Sequence, residues 1–257
     1  MQPSSGTPSH LSMSSFLTEI RQTIIPGRET RDGVLPPLLV AMTLVTGLVD
    51  AFSYLLLGHV FVANMTGNVV LLGFALVGAP GFSIGASLAA IASFAVGALA
   101  GGKVGSLLPD NRGRLFGTAA SIQAVFIMSA VVLAALNGNA IPDGSRYALI
   151  VLLAIAMGIQ NAGARKLAVP DLTTTVLTLT ITGVAADSGL AGGKGSKAGR
   201  RLIAVAAMLL GAVVGAALVL NGRIVYPLVI ALIVTAVAAT SSQMLASSGA
   251  TWLRSEH

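Results

Sequence analysis

GHVFVANMTGNVVLL, residues 58–72, lies between two long apolar runs, at a depth where hydrocarbon should surround it. Yet it carries Asn64, Thr66 and Asn68 on alternate positions, with Gly67 between them. Backbone bearing polar side chains and a glycine is tolerated at membrane depth only where protein or a water-filled cavity encloses it. A later stretch, VPDLTTTVLTL at 169–179, repeats the spacing with Asp171, Thr173 and Thr175 in front of another apolar helix. Two such segments predict a multi-span membrane protein of two related halves around a polar centre.

Composition agrees. The chain is 54% hydrophobic and 9% charged, with a mean hydropathy of +0.87. Soluble domains carry roughly 25% charged residues, so a water-facing surface of ordinary polarity is excluded. The 30 glycines among 257 residues exceed the usual share of about 7% and suit helices packed through small side chains. The net charge of +6 falls in the loops, which reads as an orientation signal and not as a nucleic-acid surface. With no cysteine, disulfides and thiolate metal sites are excluded. His10, His59 and His257 stand too far apart to suggest a metal centre. No cofactor is expected. The first twenty residues lack a basic segment leading into a long apolar one, so they read as a polar tail and not as a signal peptide.

In chain order, residues 1–33 are expected to be a disordered cytoplasmic tail, a short amphipathic turn within 16–25 being the less favoured reading. Residues 34–136 form a first membrane repeat, 137–146 a connecting loop, 147–245 a second repeat and 246–257 a C-terminal tail. Spans are predicted at 34–57, 83–101, 115–136, 147–163, 202–220 and 224–245, each near the roughly 20 apolar residues that cross a bilayer. Shorter helices follow the two polar stretches, at 66–77 and 173–186, giving eight helical segments in an all-α integral membrane protein.

The halves match in order. Gly47-Leu-Val-Asp50-Ala answers Gly158-Ile-Gln-Asn161-Ala. Asn64, Thr66 and Asn68 answer Asp171, Thr173 and Thr175, and the Gly97/Gly101 pair answers Gly211/Gly215. If both polar stretches crossed fully there would be eight spans, with nine basic residues on one side and six on the other. If each enters and leaves on one side there are six crossings and an inverted second half. Only Arg146 and Arg223 of the 15 basic residues then lie outside, and the positive-inside rule favours this arrangement with both termini cytoplasmic. Inverted repeats with broken helices near the midplane are the plan of many secondary transporters. In that plan short helices aim unsatisfied N–H groups at a polar or anionic ligand.

The set Gly47-x-x-Asp50-Ala, Phe61-x-Ala63-Asn64-x-Thr66-Gly67-Asn68, Gly158-x-Gln160-Asn161-Ala and Pro170-Asp171-x-Thr173-Thr174-Thr175-Val176-x-Thr178 resembles the YoaK-like family of bacterial multi-span membrane proteins. The likeness runs from about residue 34 to 245. It implies a bacterial plasma-membrane location, and supplies neither an activity nor functional residues. The longer polar N-terminal tail and the GGKGSK linker depart from the pattern without touching the motifs.

Asp50 is the sharpest single candidate, because an acid within a span is costly and suggests an ion or proton pathway. A buried structural acid is the alternative. Asn161 is its uncharged counterpart. Asp171 and Asn64 also fit ordinary helix N-caps, and Thr174, Thr178 and Thr182 fit threonines bonded to their own helix. His59 reads as an interfacial histidine. The substrate or ion pathway is therefore assigned to Asp50, Asn64, Thr66, Asn68, Asn161, Asp171, Thr173 and Thr175. The expected function is a secondary transporter or permease for a small polar or anionic solute, with a passive channel or a scaffolding protein as alternatives. No nucleophile–base pair or carboxylate pair points to an enzyme. The expected partners are the bilayer, the solute, and a second copy of the chain docked through the Gly97/Gly101 and Gly211/Gly215 faces.

Overall fold

Pro36 and Pro37 fall in the first turn of the first span, where a missing N–H breaks no helical bond. From there every regular element among the described residues is a helix. The computed structural model describes residues 13–25, 32–138, 140–169, 182, 185, 198–246 and 251–253. Among these the elements are α1 (Met13–Ile24), α2 (Leu35–Leu56), α3 (Met65–Leu76), α4 (Ile84–Leu107), α5 (Arg112–Asn137), α6 (Asp143–Leu167), α7 (Ala198–Leu220), α8 (Tyr226–Ala246) and a 3-10 turn (Thr251–Leu253). Six of the helices are long and apolar enough to span a membrane, whereas α3 is too short. The large apolar side chains left on their outer faces, such as Val96, Leu99, Val125 and Leu136, call for lipid as the surrounding medium. The protein is a multi-pass, all-α membrane protein.

Contacts between helix ends fix the direction of each span. Arg112 at the start of α5 donates to the carbonyl of Leu167 at the end of α6 (2.9 Å) and pairs with Asp32 ahead of α2 (3.3 Å). Arg200 at the start of α7 reaches the other Asp32 oxygen at 3.5 Å. Asn111 donates to the carbonyl of Ala246 at the end of α8 (3.3 Å), and Gly105 near the end of α4 packs on Lys166. All these termini share one end of the bundle, the Asp32 end. Helices α2, α5 and α7 leave it; α4, α6 and α8 return to it. Residues 102–114 therefore sit beside Asp32, not across the bundle from it, which agrees with six crossings and not eight.

Two helix pairs pack backbone to backbone. A Cβ on Gly47 of α2 would run into the carbonyl of Met208 on α7, and one on Gly211 into the carbonyl of Leu44. In the other pair, a Cβ on Gly158 of α6 would meet the carbonyl of Phe94 on α4, and one on Gly97 the carbonyl of Ile155. Each pair runs parallel, and each joins one half of the chain to the other. This corrects the expectation that the Gly97/Gly101 and Gly211/Gly215 faces serve a second copy. They are buried against the chain's own helices, where no second chain can reach them.

Other boundaries differ for physical reasons. Helix α4 continues past Gly101 and Gly102 to Leu107, because Gly101 and Gly105 pack on Ile159 and Lys166 of α6 and that contact outweighs low glycine propensity. Residues 13–24 are helical, a correction to the expected disordered tail. Apolar residues recur there at helical spacing (Met13, Phe16, Leu17, Ile20, Ile24). The Glu19 carboxylate accepts the Gly199 N–H at 3.2 Å, tying α1 to the first turn of α7. The C-terminal segment docks too: Trp252 is buried and its ring covers Gly33, which turns with φ +49.

Candidate functional site

The sequence GHVFVAN breaks the helical run at Gly58 (φ 91) and His59 (φ 55), both in the left-handed region. The chain then folds back toward the bundle as irregular, non-helical backbone that bends at Val62 and Ala63. His59 Nδ1 donates to the carbonyl of Gly81 at 3.0 Å, so the two limbs of residues 59–81 meet at the end opposite Asp32. The segment enters and leaves on one side and is re-entrant. A chain of ring contacts closes its mouth: Phe61 stacks on Tyr54 at 4.9 Å, and His59 bridges Tyr54 and Phe82.

Asp50 holds the turning point. Its Oδ1 accepts the N–H groups of Val62 (3.0 Å) and Ala63 (2.8 Å), two donors that the bent, non-helical chain would otherwise bury unpaired. Asp50 lies about six residues, roughly 9 Å, inside that end of α2, which sets how deep the segment reaches. The carboxylate is 5% exposed. Its second oxygen, Oδ2, is buried with no hydrogen-bond partner among the described residues.

The asparagines shape the rest. Asn68 is fully buried and pairs with one backbone unit in both directions, its Oδ1 accepting from Phe61 N–H (2.9 Å) and its Nδ2 donating to Phe61 C=O (2.6 Å). Asn64 caps α3 by accepting the Gly67 N–H at 3.2 Å. Gly67 is required because a Cβ there would press into the Phe61 ring at 2.8 Å. Thr66, in the first turn of α3, is exposed and does not join the cluster. Asp50, Asn64 and Asn68 come together; Asn161 does not. It sits on α6, two turns from the Asp32 end, and donates to the carbonyl of Met157 at 2.8 Å. Asp171, Thr173 and Thr175 lie outside the described residues.

This chain matches, over residues 38–241, the model of a protein family of unknown function, DUF1275. It belongs to that family. Over 154 residues it is also 34% identical to the UPF0700 transmembrane protein YoaK of Bacillus subtilis (strain 168), a stretch covering 58% of this chain and 65% of that relative. No solved structure matches.

One polar cluster is absent from the residues assigned above. Gln160 and Gln123 are 5% and 1% exposed. Gln123 Nε2 donates to Gln160 Oε1 at 2.6 Å, and Gln160 Nε2 donates to Thr46 Oγ1 at 2.9 Å and to the Met42 carbonyl at 3.2 Å. Gln123 stands alone in its span without a motif; only its polarity within an apolar run marked it.

Proposed function

We propose that this member of the DUF1275 family is a secondary transporter or permease for a small polar or anionic solute. It is taken to reside in the bacterial inner membrane, with both termini cytoplasmic and without enzymatic activity. One observation carries the reading: Asp50 ties a re-entrant segment with one oxygen and leaves the other buried and unpaired among the described residues. An acid at that depth is expensive and by default marks an ion or proton pathway.

We also read the halves as an inverted repeat. Gly47 and Gly158 make matching contacts on helices that run in opposite directions, and the Gly97 and Gly211 contacts match likewise. Asp50 and Asn161 stand at equal distances from the ends of α2 and α6. This is the plan of transporters with midplane sites.

The test uses the full-length protein in vesicles loaded with a pH-sensitive dye and challenged with a panel of sugars, amino acids, carboxylates and phosphate. Solute-dependent proton movement that Asp50→Asn abolishes supports the proposal. Solute flux indifferent to the proton gradient supports a passive channel. No flux for any probe favours the scaffolding alternative, to which the closely packed glycine interfaces also lend weight.

A further inference from the structure

The glutamine pair does not stand in solid packing. A small cavity of about 10 Å³ adjoins it, lined by Leu39, Met42, Phe116, Ala119, Gln123 and Gln160 among others; this is room for roughly one water molecule. Register places the cavity between two polar layers. Toward the bundle centre its boundary is the Gln123–Gln160 amide pair. One turn nearer the Asp32 end, α5 begins at Arg112 and α6 ends at Leu167, and Arg112 bridges the Leu167 carbonyl and Asp32. Asp32 is shared with Arg200 of α7, and all three side chains are largely buried, at 12–17% exposure.

We propose that this cavity is the closed form of a vestibule at the Asp32 end, with the Asp32–Arg112–Arg200 cluster as its lid and Gln123–Gln160 as a binding floor for a neutral, hydrogen-bonding solute group such as a carboxamide. The proposal deepens the pathway reading and rests on it. The lid joins segments that belong to different spans: the start of α2, the start of α5, the end of α6 and the start of α7. Separation of these segments would open the cavity without breaking any helix. A single buried carboxylate shared by two guanidinium groups holds them, and losing one partner of such a cluster is strongly destabilising to it. Thr46 and Met42 occupy the Gln160 N–H groups, and Gln160 Oε1 takes one Gln123 N–H. The floor therefore meets a solute with the remaining oxygen and N–H of the Gln123 carboxamide and no net charge, which selects for neutral polar groups over ions.

The natural absence of cysteine permits a direct test on the full-length protein in vesicles made accessible on both faces. Ala119→Cys places a thiol in the cavity wall, and iodoacetamide, small, neutral and itself a carboxamide, alkylates it with loss of iodide and a proton. Labelling should be slow in the parent and roughly tenfold faster when Asp32→Asn is added, a shift of ordinary coupling size. Ser106→Cys, exposed at the same end, should label at one rate in both backgrounds. Excess acetamide should slow the labelling of the double variant. An unchanged Ala119→Cys rate overturns the lid; a faster rate indifferent to acetamide overturns the floor as a site. If Asp32→Asn does not yield monodisperse protein, Arg200→Gln replaces it under the same criteria. These readouts need no transport, so faster, acetamide-sensitive labelling with no solute flux would sink the transporter reading and leave the vestibule standing.

Discussion

Gly47 and Gly158 make the same contact in the two halves of the chain. Gly47 lets α2 lie on the backbone of α7 at Met208 and Ala212, and Gly158 lets α6 lie on the backbone of α4 at Phe94 and Ala98. Because the obstacle is main chain in both places, a side chain cannot be accommodated by a rotamer change. Gly47→Leu and Gly158→Leu should each destabilise by more than the about 1–3 kcal/mol of ordinary overpacking. Gly102→Leu, at a position with open space around it, should be nearly neutral. Thermal scans followed by gel filtration in detergent give the ranking, and equal melting of Gly47→Leu and Gly102→Leu would refute the packing argument.

Asp50 separates two roles that one substitution would confuse. Asn at this position keeps an oxygen for the Val62 and Ala63 N–H groups, so the re-entrant segment should stay in place and the melting temperature should move little. Ala leaves both donors buried and unpaired, a loss of about 1–3 kcal/mol for each. The expected pattern is a folded, uptake-deficient Asp50→Asn and an Asp50→Ala that is both uptake-deficient and markedly less stable. Full uptake by Asp50→Asn would reduce the acid to a structural latch.

Asn68 is predicted to be the least replaceable residue of the polar stretch. It satisfies both the N–H and the C=O of Phe61, and no other natural side chain of that length offers a donor and an acceptor together. Asn68→Asp would set a carboxylate oxygen against the Phe61 carbonyl, and Asn68→Ala would leave both groups bare. Both should expose the segment, read as faster thiol labelling of Ala63→Cys, a position 2% exposed in the folded chain. Thr66→Ala, on the exposed first turn of α3, should leave that rate unchanged.

The legible part of this protein was whatever shows as periodicity or as a breach of it. Long apolar runs located the six spans, and polar residues flanking Gly67 at hydrocarbon depth marked the re-entrant turn. Glycines at matching places pointed to close backbone contacts, which Gly47, Gly97, Gly158 and Gly211 make. What the pattern could not carry was the identity of the neighbour. The spacing Gly97-x-x-x-Gly101 says that something backbone-close lies alongside, and it reads the same whether that is a second copy or, as here, Ile155 and Ile159 of α6. Nor could a local pattern show that Arg112, Asp32 and Arg200, separated by whole spans, would meet at one end. The Gln123–Gln160 bond was hidden for the same reason: Gln160 stands in a motif beside Asn161 and Gln123 stands in none, and only the folded chain pairs them.

Orientation in the membrane is a prediction that starts from the end of the bundle shared by Asp32, Arg112, Leu167 and Arg200. Lys103, Arg114, Arg165 and Lys166 lie at that end by their places in the loops and terminal turns there, while Arg146 and Arg223 lie at the other. The positive-inside rule therefore predicts that the Asp32 end faces the cytoplasm. Ser106→Cys, at that end, should resist an impermeant thiol reagent on intact cells and label after lysis. Ala140→Cys, exposed between α5 and α6, should label on intact cells. The reverse result for both would turn the molecule over; external labelling of both would contradict six crossings, since residues 106 and 140 are separated by one full span, α5.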